Sequence, residues 1–320
     1  MAHELEMING QAQMFSVKEV PWHQLGKVLQ NSPSVEEAIK LAGLDWTVAL
    51  KPMALAENGQ PVPGAMATVR STDSKILGVV GNTYKPLQNT EAFKFFEPFV
   101  QAGLVQLETA GSLRGGKRIW VMGKVKGIEG EVVKGDEVKL YVLLSNGHDG
   151  SLAIRVGFTP VRTVCANTLQ AAHGNKASKL FRIRHTAKAN ETLTQVQEIM
   201  NAVKGEFEAT MEQYRALTRK DINKKDLENF IRISFNLKAE EDSTKPSKVI
   251  DAVTRMFEKG RGNDLPGVAG TAYAAYQAAV EYLQYERGTS TDVRLNNLWF
   301  GDSATISKRA LEQAMELAAA

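Results

Sequence analysis

The spacing of apolar and polar positions divides the chain into three stretches. Residues 1–31 hold no sustained period, only scattered polar residues around Pro21-Trp22-His23-Gln24-Leu25-Gly26, and predict an irregular segment. A helix opens after Ser32-Pro33. Ser34 is the N-cap, Glu36 and Glu37 occupy the first turn, Ala38, Ile39 and Leu41 follow, and Gly43 stops it. Short β-type runs come next: Trp46 to Leu50, Ala65 to Arg70 before a Ser-Thr-Asp turn, and Ile76 to Val80 ended by Gly81-Asn82. After Pro86 a second helix is expected, capped by Thr90, with Phe93, Phe96, Val100 and Leu104 on one core-facing stripe.

Strands resume with Val105 to Thr109 and Arg118 to Val125, joined through Leu113-Arg114-Gly115-Gly116-Lys117, whose Gly-Gly pair is a hairpin signal. Glu137 to Leu144 and Leu152 to Phe158 form a further antiparallel pair across Ser145-Asn146-Gly147-His148-Asp149-Gly150. Asn-Gly and Asp-Gly there both favour positive φ. Thr163 to Ala172 turns helical, and Phe181 to Arg184 is a last short strand. From Glu191 the period becomes helical. Leu193, Val196, Met200, Val203, Phe207, Met211, Tyr214 and Leu217 step by three or four, as a core face or a coiled-coil seam. Helices follow at Lys225–Phe235, Pro246–Glu258, Ala269–Glu286 and Thr305–Ala318. The reading is α+β: a mixed, mostly antiparallel sheet with helices over residues 1–190, then a helical region over 191–320.

Composition narrows the class. The 320 residues are 43% hydrophobic and 23% charged, ordinary globular usage that disfavours a disordered or collagen-like chain. A single cysteine excludes an intrachain disulfide and any Cys-rich zinc site, and fits a reducing cytoplasm. Glu4 and Glu6 lie in a leading segment with no apolar stretch, so no secretory signal is expected. No apolar run reaches the roughly 18 residues of a membrane span.

The charge distribution says more than the net charge of +3. Residues 1–149 carry 15 basic and 16 acidic side chains, and residues 191–320 carry 17 and 20. Between them, residues 150–190 carry seven basic and no acidic ones: Arg155, Arg162, Lys176, Lys179, Arg182, Arg184 and Lys188. Arg114, Lys117, Arg118, Lys124 and Lys126 form a second acid-free cluster upstream. Such segregation concentrates positive potential and attracts a polyanion; the competing reading is a solvated face neutralised from elsewhere in the fold. Arg114, Lys117, Arg118, Arg155, Arg162, Lys179, Arg182 and Arg184 are the candidate phosphate contacts. Phe181, beside Arg182 and Arg184, is the candidate for stacking on a base. Trp120 and Phe158 are better explained as core.

Catalytic signals are weaker. The five histidines contain no HxH or HxxxH pair, and no GxSxG, Walker A or GxGxxG motif is present, so no metal or cofactor is expected. Cys165 is flanked by Val164 and Ala166, which favours packing over nucleophilic work. An enzyme acting on a small anionic or nucleotide substrate would need Trp22, His23, His148, Asp149, Cys165 and Asn167 to converge in one pocket. A third reading is a structural or host-interaction protein.

Several of these motifs recur in one order: Pro21 to Gly26, Leu113 to Gly116, Asp149-Gly150-Ser151, Arg162-Thr163-Val164-Cys165-Ala166-Asn167-Thr168-Leu169, then Thr271-Ala272, Glu286-Arg287-Gly288 and Trp299-Phe300-Gly301. In that order the chain resembles the phage/plasmid-like protein family, domain of unknown function 932. The resemblance implies a mobile element and a cytoplasmic setting, and carries over no catalytic residues. More loosely, three strands followed by a helix are similar to the core of Rad52/RecT-type single-strand annealing proteins. Together these readings lead to the expectation of a cytoplasmic, homo-oligomeric protein that binds nucleic acid, single-stranded DNA above all, in recombination or replication, without a cofactor.

Overall fold

Short strands, not an irregular arm, begin the chain. The computed structural model describes residues 5–18, 25–162, 180–186, 188–189, 203–237, 248–287, 297 and 301–319. Strands β1 (Met7–Ile8) and β2 (Gln11–Ala12) pair with each other, and β3 (Met14–Val17) and β4 (Lys27–Leu29) join a larger sheet. This corrects the irregular reading of residues 1–31. All four residues of β3 are buried, and four residues are too few to display a period.

The chain divides into two compact units, one built from residues 1–127, 141–157 and 180–201, the other from 128–140, 158–179 and 202–320. Among the described residues the first unit holds α1 (Val35–Leu41), β5 (Val48–Ala54), β6 (Pro61–Arg70), β7 (Ile76–Gly81), α2 (Asn89–Lys94), α3 (Glu97–Gln101) and β8 (Val105–Leu113). Strands β9 (Arg118–Glu131), β10 (Glu137–Gly147) and β11 (Ile154–Arg162) contribute residues to both units, and β12 (Leu180–Ile183) belongs to the first. The large sheet has the order β12-β11-β10-β9-β8-β3-β4, and β5-β6-β7 form a separate antiparallel sheet. The β3/β4 pair is parallel and β8/β9 antiparallel, so the α+β, mostly antiparallel expectation holds.

Local chemistry explains the elements. Helix α1 starts in a reciprocal capping box: Ser34 Oγ accepts from the Glu37 N–H, and the Glu37 carboxylate accepts from the Ser34 N–H at 2.9 Å. The single helix expected after Pro86 is instead two. Pro98 has no N–H to give and its ring crowds the preceding turn, so α2 ends at Lys94 and α3 begins at Glu97. Gln88, not Thr90, caps α2. Of the predicted stripe, Phe93 and Phe96 are buried and Val100 is half-buried, whereas Leu104, beyond the end of α3, is exposed; Phe95 and Phe99 are buried in addition. In β8, Gly111 has no room for a side chain: a Cβ would sit 2.5 Å from the Trp120 ring, which is itself buried.

Apart from the residues it takes from β9, β10 and β11, the second unit is helical where described. It contains α4 (Val203–Thr218), α5 (Lys224–Phe235), α6 (Lys248–Lys259), α7 (Ala272–Tyr285) and α8 (Asp302–Ala319). Helix α7 is buried nearly all round and packs against each of the other four. Its alanines at 272, 274, 275, 278 and 279 allow that close approach. The expected stripe on α4 is confirmed from Val203 to Leu217, a core face. Leu193, Val196 and Met200 lie outside the described residues, as does the helix expected at Thr163 to Ala172.

Candidate functional site

The basic segment reaches the described structure as two strands, β11 and β12, of which β12 is the edge of the large sheet. Their antiparallel register sets Arg155 directly opposite Arg182 and Ile154 opposite Ile183. Alternation then sends Ile183 into the core and Arg182 and Arg184 to solvent. Two guanidinium groups facing each other across a ladder repel. Burial, followed by the charges of Arg182 and Arg118, holds the half-buried Arg155 guanidinium below its usual pKa. Arg118 extends this positive region from β9, where its Nη2 donates to Ser151 Oγ at 3.1 Å. Arg182 and Arg184 make no ion pair with another described residue.

The remaining candidates have other places. Arg114 is exposed in the β8–β9 turn with φ of 54°. Lys117 is half-buried there, and its carbonyl accepts from the His148 N–H. Phe181 lies on the Ile183 side of β12, half-buried, away from the face that carries Arg182 and Arg184. Lys179 lies outside the described residues.

Arg162 is a correction. It belongs to the second unit and is 3% exposed. Its Nε donates to Asp136 Oδ1 at 2.5 Å, its Nη1 to the Arg261 carbonyl and Asn263 Oδ1, and its Nη2 to the Gly262 carbonyl. The guanidinium also lies over the Tyr273 ring. Its donors are committed to protein acceptors in the interior, so it is a structural residue and not a phosphate contact.

Beside the edge of β12, the first unit holds a cavity of about 740 Å³. Three segments far apart in sequence line it: the end of β7 with Thr83 and Tyr84, the loop from Asp149 to Ala153, and Arg184 to Thr186. The loop is seated closely on β7, for a Cβ on Gly78 would lie 2.5 Å from the Asp149 Cα. Gly150 turns with φ of 76°, as Asp-Gly suggested. Asn146-Gly147 remains in strand β10, where Gly147 is needed because Leu152 leaves no space for a Cβ.

Hydrogen bonds hold the walls in place. Tyr84 donates its hydroxyl to the Gly147 carbonyl at 2.7 Å, and the ring stacks on His185 with centroids 4.6 Å apart. His185 Nε2 donates to the Leu152 carbonyl at 3.1 Å, and burial lowers the pKa of the imidazole. Asp149 Oδ1 accepts from both the N–H and the hydroxyl of Ser151, at 2.9 and 2.7 Å. Oδ2 of Asp149 has no hydrogen bond to a described residue.

His148, next to Asp149 in sequence, does not reach this cavity. It is wholly buried, packs edge-on against Trp46, and its Nε2 donates to Asn89 Oδ1 at 2.9 Å. Asn89 spends its amide on the Leu44 and Trp46 carbonyls, which leaves its oxygen as the acceptor and fixes the histidine tautomer. Burial pushes the His148 pKa down to about 3, so the ring is a neutral tie in the core. Trp22, His23, Cys165 and Asn167 lie outside the described residues. Of the proposed catalytic constellation, Asp149 alone is placed in the cavity. Tyr84, Arg184 and His185 join it there, and for Tyr84 no motif signalled a role.

Among the described residues there is no group of three metal-ligating side chains, and no helix is long and apolar enough to cross a membrane. Neither the curated proteins nor the solved structures contain a match to the chain. The family described as "Domain of unknown function (DUF932)" matches residues 76–301, a span that takes in β7, the cavity loop, the arginine pair and most of the described helices. With well over half of its length matched, the chain belongs to the DUF932 family.

Proposed function

We propose that this protein binds single-stranded DNA through the outer face of β11 and β12, as a mobile-element protein of recombination or replication. One observation carries the reading. Arg155 and Arg182 face each other across the edge of the sheet, with Arg184 two residues further on the same side of β12. Facing like charges repel, and after burial the charge of Arg182 is the next cause that holds the Arg155 guanidinium below its usual pKa. A phosphate backbone laid along the edge strand relieves that repulsion and meets a row of donors spaced along an extended chain. Arg118 adds charge behind the row. The order of motifs resembling phage and plasmid proteins supports the setting. A cytoplasmic location and assembly into oligomers along a strand belong to the same proposal.

Three phosphate contacts on a single strand give a slope of log affinity against log salt of about −2, or a loss of roughly 20-fold between 50 and 200 mM. Fluorescence anisotropy with labelled single- and double-stranded DNA and RNA over that range is the test. The expected result is tighter binding to single-stranded DNA, with that slope, and a shallower slope for Arg182→Glu and Arg184→Glu. Salt-insensitive binding, or charge reversals that leave affinity unchanged, overturns the proposal.

A further inference from the structure

The cavity beside Arg184 is a different kind of surface from the arginine face. Its volume of about 740 Å³ suits one small ligand or one nucleotide of a strand. It offers three chemistries around one open concavity. Val79 and Val80 with the Tyr84–His185 stack give flat and apolar walls. Arg184 gives an exposed cation that is not ion-paired to a described residue. Asp149 gives a carboxylate oxygen, Oδ2, whose orientation is set by the two hydrogen bonds that Ser151 makes to Oδ1.

The same hydrogen bonds argue for recognition over reaction. Tyr84 and His185 each spend a donor on a backbone carbonyl, so both rings are braced as walls. A ligand that fits must be flat, must carry a hydrogen-bond donor for Asp149, and must carry an anion for Arg184. A nucleotide has all three. Of the pyrimidines, cytosine presents an exocyclic amine that a carboxylate accepts, whereas thymine presents a carbonyl at that position.

We infer that this cavity is a nucleotide seat that holds a base bearing an exocyclic amine, cytosine among the pyrimidines, between the aromatic wall and Asp149, with its phosphate on Arg184. The inference deepens the nucleic-acid reading and rests on it for the class of ligand. The base belongs either to a bound strand or to a free nucleotide, and the experiment separates these sources.

Gly81 supplies the clean perturbation. It lines the cavity, its φ is not in the left-handed region, and a Cβ there meets nothing within 4 Å. The first atom of a side chain there displaces no protein atom, so Gly81→Leu adds bulk at the cavity wall, and an unchanged thermal melt verifies the fold. Titration calorimetry with dCMP and dTMP is expected to show wild-type preference for dCMP of about tenfold. Gly81→Leu is expected to lose both ligands by at least about tenfold. Asp149→Asn keeps an oxygen for Ser151 and replaces the free acceptor by a donor, so it is expected to abolish or invert the dCMP preference.

Gly81→Leu binding dCMP like the wild type, or Asp149→Asn leaving the preference intact, overturns the inference. A cytidine oligonucleotide is compared with an abasic strand of equal length. A loss of about tenfold in the abasic strand assigns the seat to a base of the strand. Equal strand affinities with dCMP bound assign it to a free nucleotide. Salt-dependent strand binding with no response to dCMP, abasic sites or Gly81→Leu sinks the seat and spares the arginine face. Binding of dCMP with no strand affinity does the reverse.

Discussion

Arg162→Met turns a buried ion pair into a pH-dependent defect of calculable size. Methionine keeps an unbranched chain of similar reach but removes the guanidinium that lies over Tyr273, and leaves Asp136, which is wholly buried, without its charge partner. Burial pushes the Asp136 carboxyl up, and in the wild type the Arg162 guanidinium opposes that push. Without it nothing from Arg162 opposes the push, and the folded-state pKa moves further above the unfolded value of about 3.9. Removing one partner of a buried ion pair costs about 3–5 kcal/mol, and each further unit by which the folded pKa rises adds about 1.4 kcal/mol of pH dependence, so the loss is larger at pH 7 than at pH 5. The sign follows from the raised folded pKa: stability is fully present below about pH 3.9 and is lost as pH rises through the folded value. At about 2–4 °C per kcal/mol, the melting temperature should fall by roughly 6–20 °C at pH 7 and by less at pH 5. Thermal melts by circular dichroism at both pH values read this directly. A loss under about 2 °C at pH 7, or one that grows toward pH 5, refutes the reasoning. Adding Asp136→Leu removes the orphaned carboxyl and should recover most of the stability.

Arg182→Ala should leave the melting temperature unchanged or slightly raised, because it relieves the opposition with Arg155, while oligonucleotide affinity falls; a clear destabilisation would show Arg182 to be structural. Gly78→Ala should cost about 1–3 kcal/mol, since its Cβ meets a backbone atom of Asp149 that cannot rotate away; an unaltered urea midpoint contradicts the close seating of the loop. The His148 imidazole, held neutral with a pKa of about 3, should show flat NMR shifts from about pH 5 to 8, and a midpoint near 6.5 would refute its burial. Because that folded pKa is depressed, the stability it contributes is present above about pH 6.5 and is lost as pH falls toward 3.

What could be read in the sequence was what is local. The β-branched run at Ile76, the Gly-Gly turn at 115–116 and the N-cap at Ser34 each write their element within a few residues, and each stands where expected. The Asp-Gly at 149–150 turns as its chemistry suggests. Failures have two causes. Strand β3 and the α2–α3 break are decided by burial and by Pro98, which a periodicity count over a longer window averages away. The roles of Arg162 and of the cavity residues depend on partners remote in sequence. Asp136 lies 26 positions before Arg162 and Asn263 lies 101 after it. Tyr84, Asp149 and Arg184 come from three separate segments. A count of basic residues placed Arg162 and Arg182 together, although one is buried and the other is exposed.

The arginine face and the cavity share one support, which has a consequence for how a ligand is met. Arg118 donates to Ser151, and Ser151 donates to Asp149, so a side chain of the basic row is linked through hydrogen bonds to the acceptor in the cavity. The loop that carries Asp149 is held by the Tyr84 hydroxyl at Gly147, by His185 at Leu152 and by the close seat on Gly78. A site tied from three directions is formed before a ligand arrives, and binding then spends little on ordering the loop. On the proposed reading, a strand recognised there would gain affinity from the arginines and selectivity from the braced carboxylate. The two properties are separable by mutation, because the arginines act through charge at long range whereas Asp149 acts through one oriented oxygen.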